Sequence, residues 1–146
     1  MNGRTVRASN MPHTTRRSSA VIWTGRVLSG LAVAFLTFDA AMKVLQVPMA
    51  VEGTVALGYP ANEVFRIGVV QLVCLALYLI PRTSLVGAVL WTGYLGGAIA
   101  TQVRVGNPLF THVLFPMYVA VLLWGGLYLR DSRVGVMLAA ATQERR

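Results

Sequence analysis

Leu85-Val-Gly-Ala-Val-Leu-Trp-Thr-Gly-Tyr-Leu-Gly-Gly-Ala-Ile-Ala-Thr-Gln-Val103 is followed by Arg104-Val-Gly-Asn-Pro108 and then by Leu109-Phe-Thr-His-Val-Leu-Phe-Pro-Met-Tyr-Val-Ala-Val-Leu-Leu-Trp-Gly-Gly-Leu-Tyr-Leu129. Two apolar runs are thus separated by a short polar break. Helices of roughly 17–21 residues rise about 25–32 Å, which matches the hydrocarbon layer of a bilayer. Two further runs precede this pair, about Val27–Leu45 and Val64–Ile80. None of the four alternates with a period of two, which argues against a β-barrel. Pro48, Pro60, Pro81 and Pro108 fall in the gaps, where helices end. The expected fold is all-α: a polytopic bundle of four transmembrane helices.

Composition agrees. Of 146 residues, 55% are hydrophobic and 12% charged, against about 25% charged in a typical soluble domain. The net charge of +8 sits between the apolar runs and not along one helical face. This pattern speaks for membrane orientation and against a nucleic-acid partner. The single cysteine, Cys74, lies inside an apolar run. One thiol allows no intrachain disulfide and no CxxC redox chemistry, so Cys74 reads as a small hydrophobe.

Residues 1–20 are polar and basic and read as a disordered cytoplasmic tail. Residues 21–130 form the membrane domain, with spans at about 27–45, 64–80, 85–103 and 109–129. Residues 131–146 form a short cytoplasmic tail. The first span extends back toward Ala20 and is expected to stay attached, since Arg26, Asp39 and Lys43 suit a signal peptide poorly. The gap from Gln46 to Glu63 is too apolar for a plain loop and too short to span, so a short interfacial helix is expected there. Pro81-Arg-Thr-Ser84 is a tight turn that makes spans two and three antiparallel neighbours. With the N-terminus inside, ten of the 13 basic residues fall on the cytoplasmic side and only Lys43, Arg66 and Arg104 lie toward the outside. That is a positive-inside bias, with both termini cytoplasmic.

Polar groups inside or beside the spans are the candidate site: Asp39 and Lys43 in span one, Arg66 and Gln71 in span two, Gln102 and Arg104 in span three, His112 in span four. In this topology all lie within about two turns of the outer interface, and the inner halves hold no comparable group. Asp39 and Lys43 share a helix face one turn apart. Two readings stay open for them: an ion pair that makes two charges tolerable in lipid, or a functional pair in an intramembrane path. The outer layer, with Glu52 and Glu63, holds three acids and three bases, which suggests a paired network. His112 has no second membrane histidine, so neither a bis-histidine haem nor a transition-metal site is expected. Gly93 and Gly97 form a G-x-x-x-G pattern read as helix packing. Trp91, Trp124 and Tyr94 read as packing residues, and Tyr128 as an interfacial one.

Phe38-Asp-Ala-Ala-Met-Lys43-Val-Leu, Tyr78-Leu-Ile-Pro-Arg82-Thr-Ser and the stretch from Gly93 through Gln102, Arg104, Pro108 and His112 to Pro116 resemble the DoxX-like family of small four-helix bacterial membrane proteins. The resemblance covers about Val27–Arg130. It implies a bacterial inner-membrane location and, by likeness to some relatives, an accessory subunit of a quinone-linked oxidoreductase. Relatives often carry a histidine where this chain has Gln102, so proton or metal chemistry there does not carry over. The leading expectation is a subunit without a covalently bound cofactor or its own redox centre. It presents a lipophilic quinone-type ligand to an oxidoreductase partner, with Lys43, Arg66, Gln71, Arg104 and His112 as donors to the quinone carbonyls. A small proton-coupled transporter using Asp39 is the alternative, opposed by the Lys43 partner; a structural assembly factor is the third. The oligomeric state is not legible.

Overall fold

The structure is a computed structural model that describes residues 18–131 and 133–136. The tails expected at 1–20 and 131–146 therefore lie largely outside the described residues. Within them the chain is helical, without strands. Five α-helices follow one another: α1 (Ser19–Val44), α2 (Pro48–Ala56), α3 (Glu63–Leu79), α4 (Ser84–Arg104) and α5 (Phe115–Arg130). A π-helical turn, Leu109–Val113, precedes α5.

The boundaries have local causes. Ser18 caps α1 by accepting the Val21 N–H, as hydroxyl residues do at helix starts. This places the first helix eight residues ahead of its apolar run. Gln46 ends α1 with a φ of 50°, and Gly106 ends α4 with a φ of 73°. At both ends the backbone reverses so that free carbonyls of the last turn gain partners: Val47 N–H reaches Met42 O, and Asn107 N–H reaches Gln102 O. Pro48 opens α2, where its missing N–H costs nothing.

The fourth run is not one continuous α-helix. Val113 and Leu114 donate five residues back, to Pro108 O and Leu109 O. The cause is Pro116. It has no N–H for the His112 carbonyl, and its ring would collide with that carbonyl in α geometry. The wider π turn relieves the clash.

The long helices close a ring: α1 packs on α3 and α5, and α4 packs on α3 and α5. The centre is apolar. Leu36, Tyr78, Trp91, Leu123 and Leu127 are fully buried, with Ala32, Cys74 and Leu75 around them. The outside is apolar as well: Leu31 and Phe38 on α1, Val70 and Val73 on α3, Val86 and Val89 on α4, and Val121 on α5 all face outward. A water-soluble protein rarely shows apolar surface on every side. Ser19–Val44, Ser84–Arg104 and Leu109–Arg130 are each long and apolar enough to cross a membrane. α3, at 17 residues, is shorter than any of these three segments. The bilayer is thus the solvent of this fold.

One end of the ring is closed by glycine. A Cβ on Gly25 would stand 2.7 Å from Leu129 Cβ, and one on Gly126 would stand 2.7 Å from the Ser29 backbone nitrogen, so α1 and α5 touch backbone to backbone. Gly87 gives α4 the same approach to the Tyr78 backbone of α3. A buried polar relay lies between these contacts. Tyr78 donates its hydroxyl to Leu123 O at 3.0 Å and sits 3.2 Å from Ser29 Oγ.

Candidate functional site

At the opposite end the ring opens. The ends of α1 and α4 and the starts of α3 and the fourth run meet there, with α2 and the Leu57–Tyr59 turn laid across. This roof is tied down at two points. Arg104 donates to Leu57 O at 2.7 Å, and Tyr59 Oη lies 3.0 Å from Thr101 Oγ1. The turn needs Gly58 (φ 86°), whose absent side chain leaves room for the Arg104 guanidinium.

Below the roof lies a cavity of about 380 Å³, within the usual range for a small-molecule site. Its walls are mostly apolar: Phe35, Leu36, Ile67, Leu95, Phe115 and Val119. Its polar corner is built by Asp39. Oδ2 accepts from Lys43 Nζ and from Gln71 Nε2, both at 2.5 Å. Gln71 is 1% exposed. The Lys43 side chain is 13% exposed, and that of Asp39 is 36% exposed. The pair faces the bundle interior, and α3 completes it. Gly68 makes this possible, because it lets α3 approach the Lys43–Val44 backbone of α1. Both donors converge on Oδ2, and among the described residues Oδ1 takes no hydrogen bond. Gln71 Oε1, which is buried, is likewise without a partner among the described residues.

A second, more polar space of about 560 Å³ lies under α2 and shares Asp39, Lys43, Thr54, Leu57 and Gln102 with the first. His112 and Asn107 line this outer space and not the inner cavity. Asn107 Nδ2 donates to Gln102 Oε1, and His112 Nδ1 sits 2.8 Å from the neighbouring Thr111 hydroxyl. Asp39 stands at the wall between an apolar chamber and a polar vestibule.

The structure therefore gathers five of the seven candidate residues: Asp39, Lys43, Gln71 and Gln102 on the inner cavity, with His112 on the vestibule. The other two do something else. Arg66 is exposed and pairs with Glu63 one turn back. Arg104 binds the roof from outside. The outer charges form two separate pairs, Lys43–Asp39 and Arg66–Glu63, and not one network. Each of the five expected donors already has a partner within the chain: Lys43 and Gln71 meet Asp39, Arg66 meets Glu63, Arg104 meets Leu57 O, and His112 meets Thr111.

Gly93 and Gly97 also differ from the expectation of helix packing. A Cβ on either would meet nothing within 4 Å, and both line the cavity. They create volume. Gly25, Gly68, Gly87 and Gly126 do the packing instead. They lie on separate helices, so no spacing within one run announces them. Tyr94 also does more than pack. Its ring meets Trp91 edge-on at 5.3 Å, but it also lines the cavity, and its hydroxyl makes no hydrogen bond among the described residues. Among the described residues Trp91 Nε1 is buried without a hydrogen-bond partner. Among the described residues no three His, Cys, Asp or Glu side chains are grouped to hold a metal ion.

A ring of apolar helices, clad in outward-facing hydrophobic side chains and holding one polar corner inside, defines a multi-pass membrane protein. The sequence model of the DoxX-like family matches residues 27–126, from α1 into the last turns of α5. The chain belongs to the DoxX-like family. No curated protein and no solved structure gives a match.

Proposed function

We propose that this DoxX-like protein crosses the bacterial inner membrane four times with both termini cytoplasmic, and that its cavity binds the headgroup of a lipophilic quinone for an oxidoreductase partner. α3 is the fourth span. Its 17 residues rise about 25 Å, and Phe65, Val69, Val70 and Val73 face outward along it. The basic asymmetry then puts the cavity near the outer leaflet, with α2 lying along that interface.

The observation that carries the reading is the pair of open polar atoms in a chamber whose walls are mostly apolar. The Tyr94 hydroxyl can donate to a ring carbonyl. Asp39 Oδ1 can accept from a ring hydroxyl, so both redox forms find a partner. Quinone chemistry needs one polar end in an apolar slot, and the chain supplies binding and orientation in this reading while the partner supplies the electrons.

Thermal unfolding in mild detergent with decylubiquinone tests this. At a hundredfold excess over Kd, binding stabilises the native state by about 2.7 kcal/mol, which appears as a raised Tm. Gly97→Leu should fill the chamber and remove the shift while the unliganded protein still folds. Tyr94→Phe should weaken binding about fivefold, the loss of one hydrogen bond of about 1 kcal/mol. An unchanged Tm for the parent at saturating quinone removes the ligand reading. A reporter that works only after export, active when fused at Arg146, removes the topology.

A further inference from the structure

The closed end of the ring carries a feature with no place in the quinone reading. Arg26 of α1, Arg130 of α5 and Arg133 beyond it line one cavity of about 450 Å³, together with Pro81, Ser84 and Asp131. Three guanidiniums around one space usually find carboxylates. Here none forms an ion pair among the described residues. The one acid present, Asp131, accepts the Arg133 backbone N–H through Oδ1 at 2.9 Å. Arg130 is held in place without being neutralised: its guanidinium lies 4.9 Å above the Tyr78 ring and donates to Tyr78 O at 3.4 Å.

A second observation concerns Ser84 in the same wall. It begins α4, a helix of 21 residues whose start has no side-chain cap. Its own hydroxyl turns back to Pro81 O at 3.3 Å. The first N–H groups of such a helix have no partner within the helix, and they carry the positive end of its dipole. The start of α4 and the three arginines thus border one space. That combination suits a tetrahedral oxyanion better than a carboxylate, because phosphate offers several acceptor oxygens in different directions.

We propose that this cavity binds a phosphate-bearing anion, either the headgroup of an anionic phospholipid or free phosphate. The apolar surfaces of α1 and α5 run from its rim along the bundle, where acyl chains would lie. Basic pockets between membrane helices hold anionic headgroups in this way.

The test uses the full-length protein in a neutral detergent, followed by native mass spectrometry and thermal unfolding at constant ionic strength. Dioctanoyl phosphatidylglycerol, dioctanoyl phosphatidylcholine and sodium phosphate are added separately. The proposal expects phosphatidylglycerol to bind at least tenfold more tightly than phosphatidylcholine. It expects the double variant Arg26→Gln/Arg133→Gln to lose at least tenfold of that affinity while its unliganded Tm stays put, since both side chains are exposed. Arg130 is spared because it also holds the Tyr78 carbonyl. Phosphate binding as well as phosphatidylglycerol, and lost in the same variant, assigns the site to the free anion. Equal binding of the two lipids, or affinity unchanged in the variant, overturns the proposal. Quinone binding at the other end is expected to be the same in parent and variant, so the two readings fail separately.

Discussion

At the closed end of the bundle, Gly25, Gly87 and Gly126 face neighbouring backbone; around the cavity, Gly93 and Gly97 face empty space. The residue type is the same and the consequence is opposite. Where two helices already touch, a missing side chain shortens the distance between them. Where the helices diverge, it leaves a hole. The helix crossing decides which, and the roof over the open end keeps that hole from closing by collapse.

The contrast can be broken most sharply at Gly87. Gly87→Ala forces a methyl into the Tyr78 backbone of α3 and should cost about 3 kcal/mol, at the upper end for overpacking. Gly97→Ala should be neutral or stabilise by up to about 1 kcal/mol, since alanine is the better helix former and nothing stands in its way. Reversible unfolding in mixed micelles measures both. If the two changes cost the same, the two ends do not differ as described. The next largest effect belongs to the polar corner. Asp39→Ala leaves Lys43 and Gln71 as buried donors without an acceptor and should cost roughly 2 kcal/mol. Adding Lys43→Met should recover part of that loss. A double variant less stable than the single would show that the lysine has a better partner than Asp39. The smallest effect sharpens the boundary of the site: Arg66→Ala removes an exposed pair and should change stability by less than about 0.5 kcal/mol, with quinone affinity unaltered.

Much of this arrangement can be read in the sequence, and the reasons are physical. Hydrocarbon thickness sets a length, and the apolar runs match it, so the long helices and the gap helix α2 were legible. The depth of Asp39, Lys43, Gln71, Gln102 and His112 was legible because position along a helix converts directly to height. Direction around the helix was not. Arg66 shares the depth of the cluster and points away from it, toward Glu63. Tyr94 is an ordinary aromatic in an apolar run until the divergence of α4 from its neighbours exposes its hydroxyl to the chamber. The packing glycines escaped for a related reason: each works against a partner on another helix, and a pattern within one helix carries no record of that. The break before α5 did have a signal. Pro116 sits inside the fourth run, and a proline there needs a place for the carbonyl four residues earlier.

That π turn has a consequence for chain length. A π turn holds one residue more than the α turn it replaces, so the segment from Leu109 to Val113 behaves as a single-residue insertion tolerated by the fold. Deleting Thr111 would return the run to ordinary spacing. Leu109 and Phe110 would keep their facing relative to α5, because the π turn already absorbs the extra residue, while the Pro116 ring would again meet a carbonyl of the preceding turn. The extra residue is therefore room made for a ring, and a one-residue deletion would be felt as a clash at Pro116 and not as a change in which way the neighbouring side chains face.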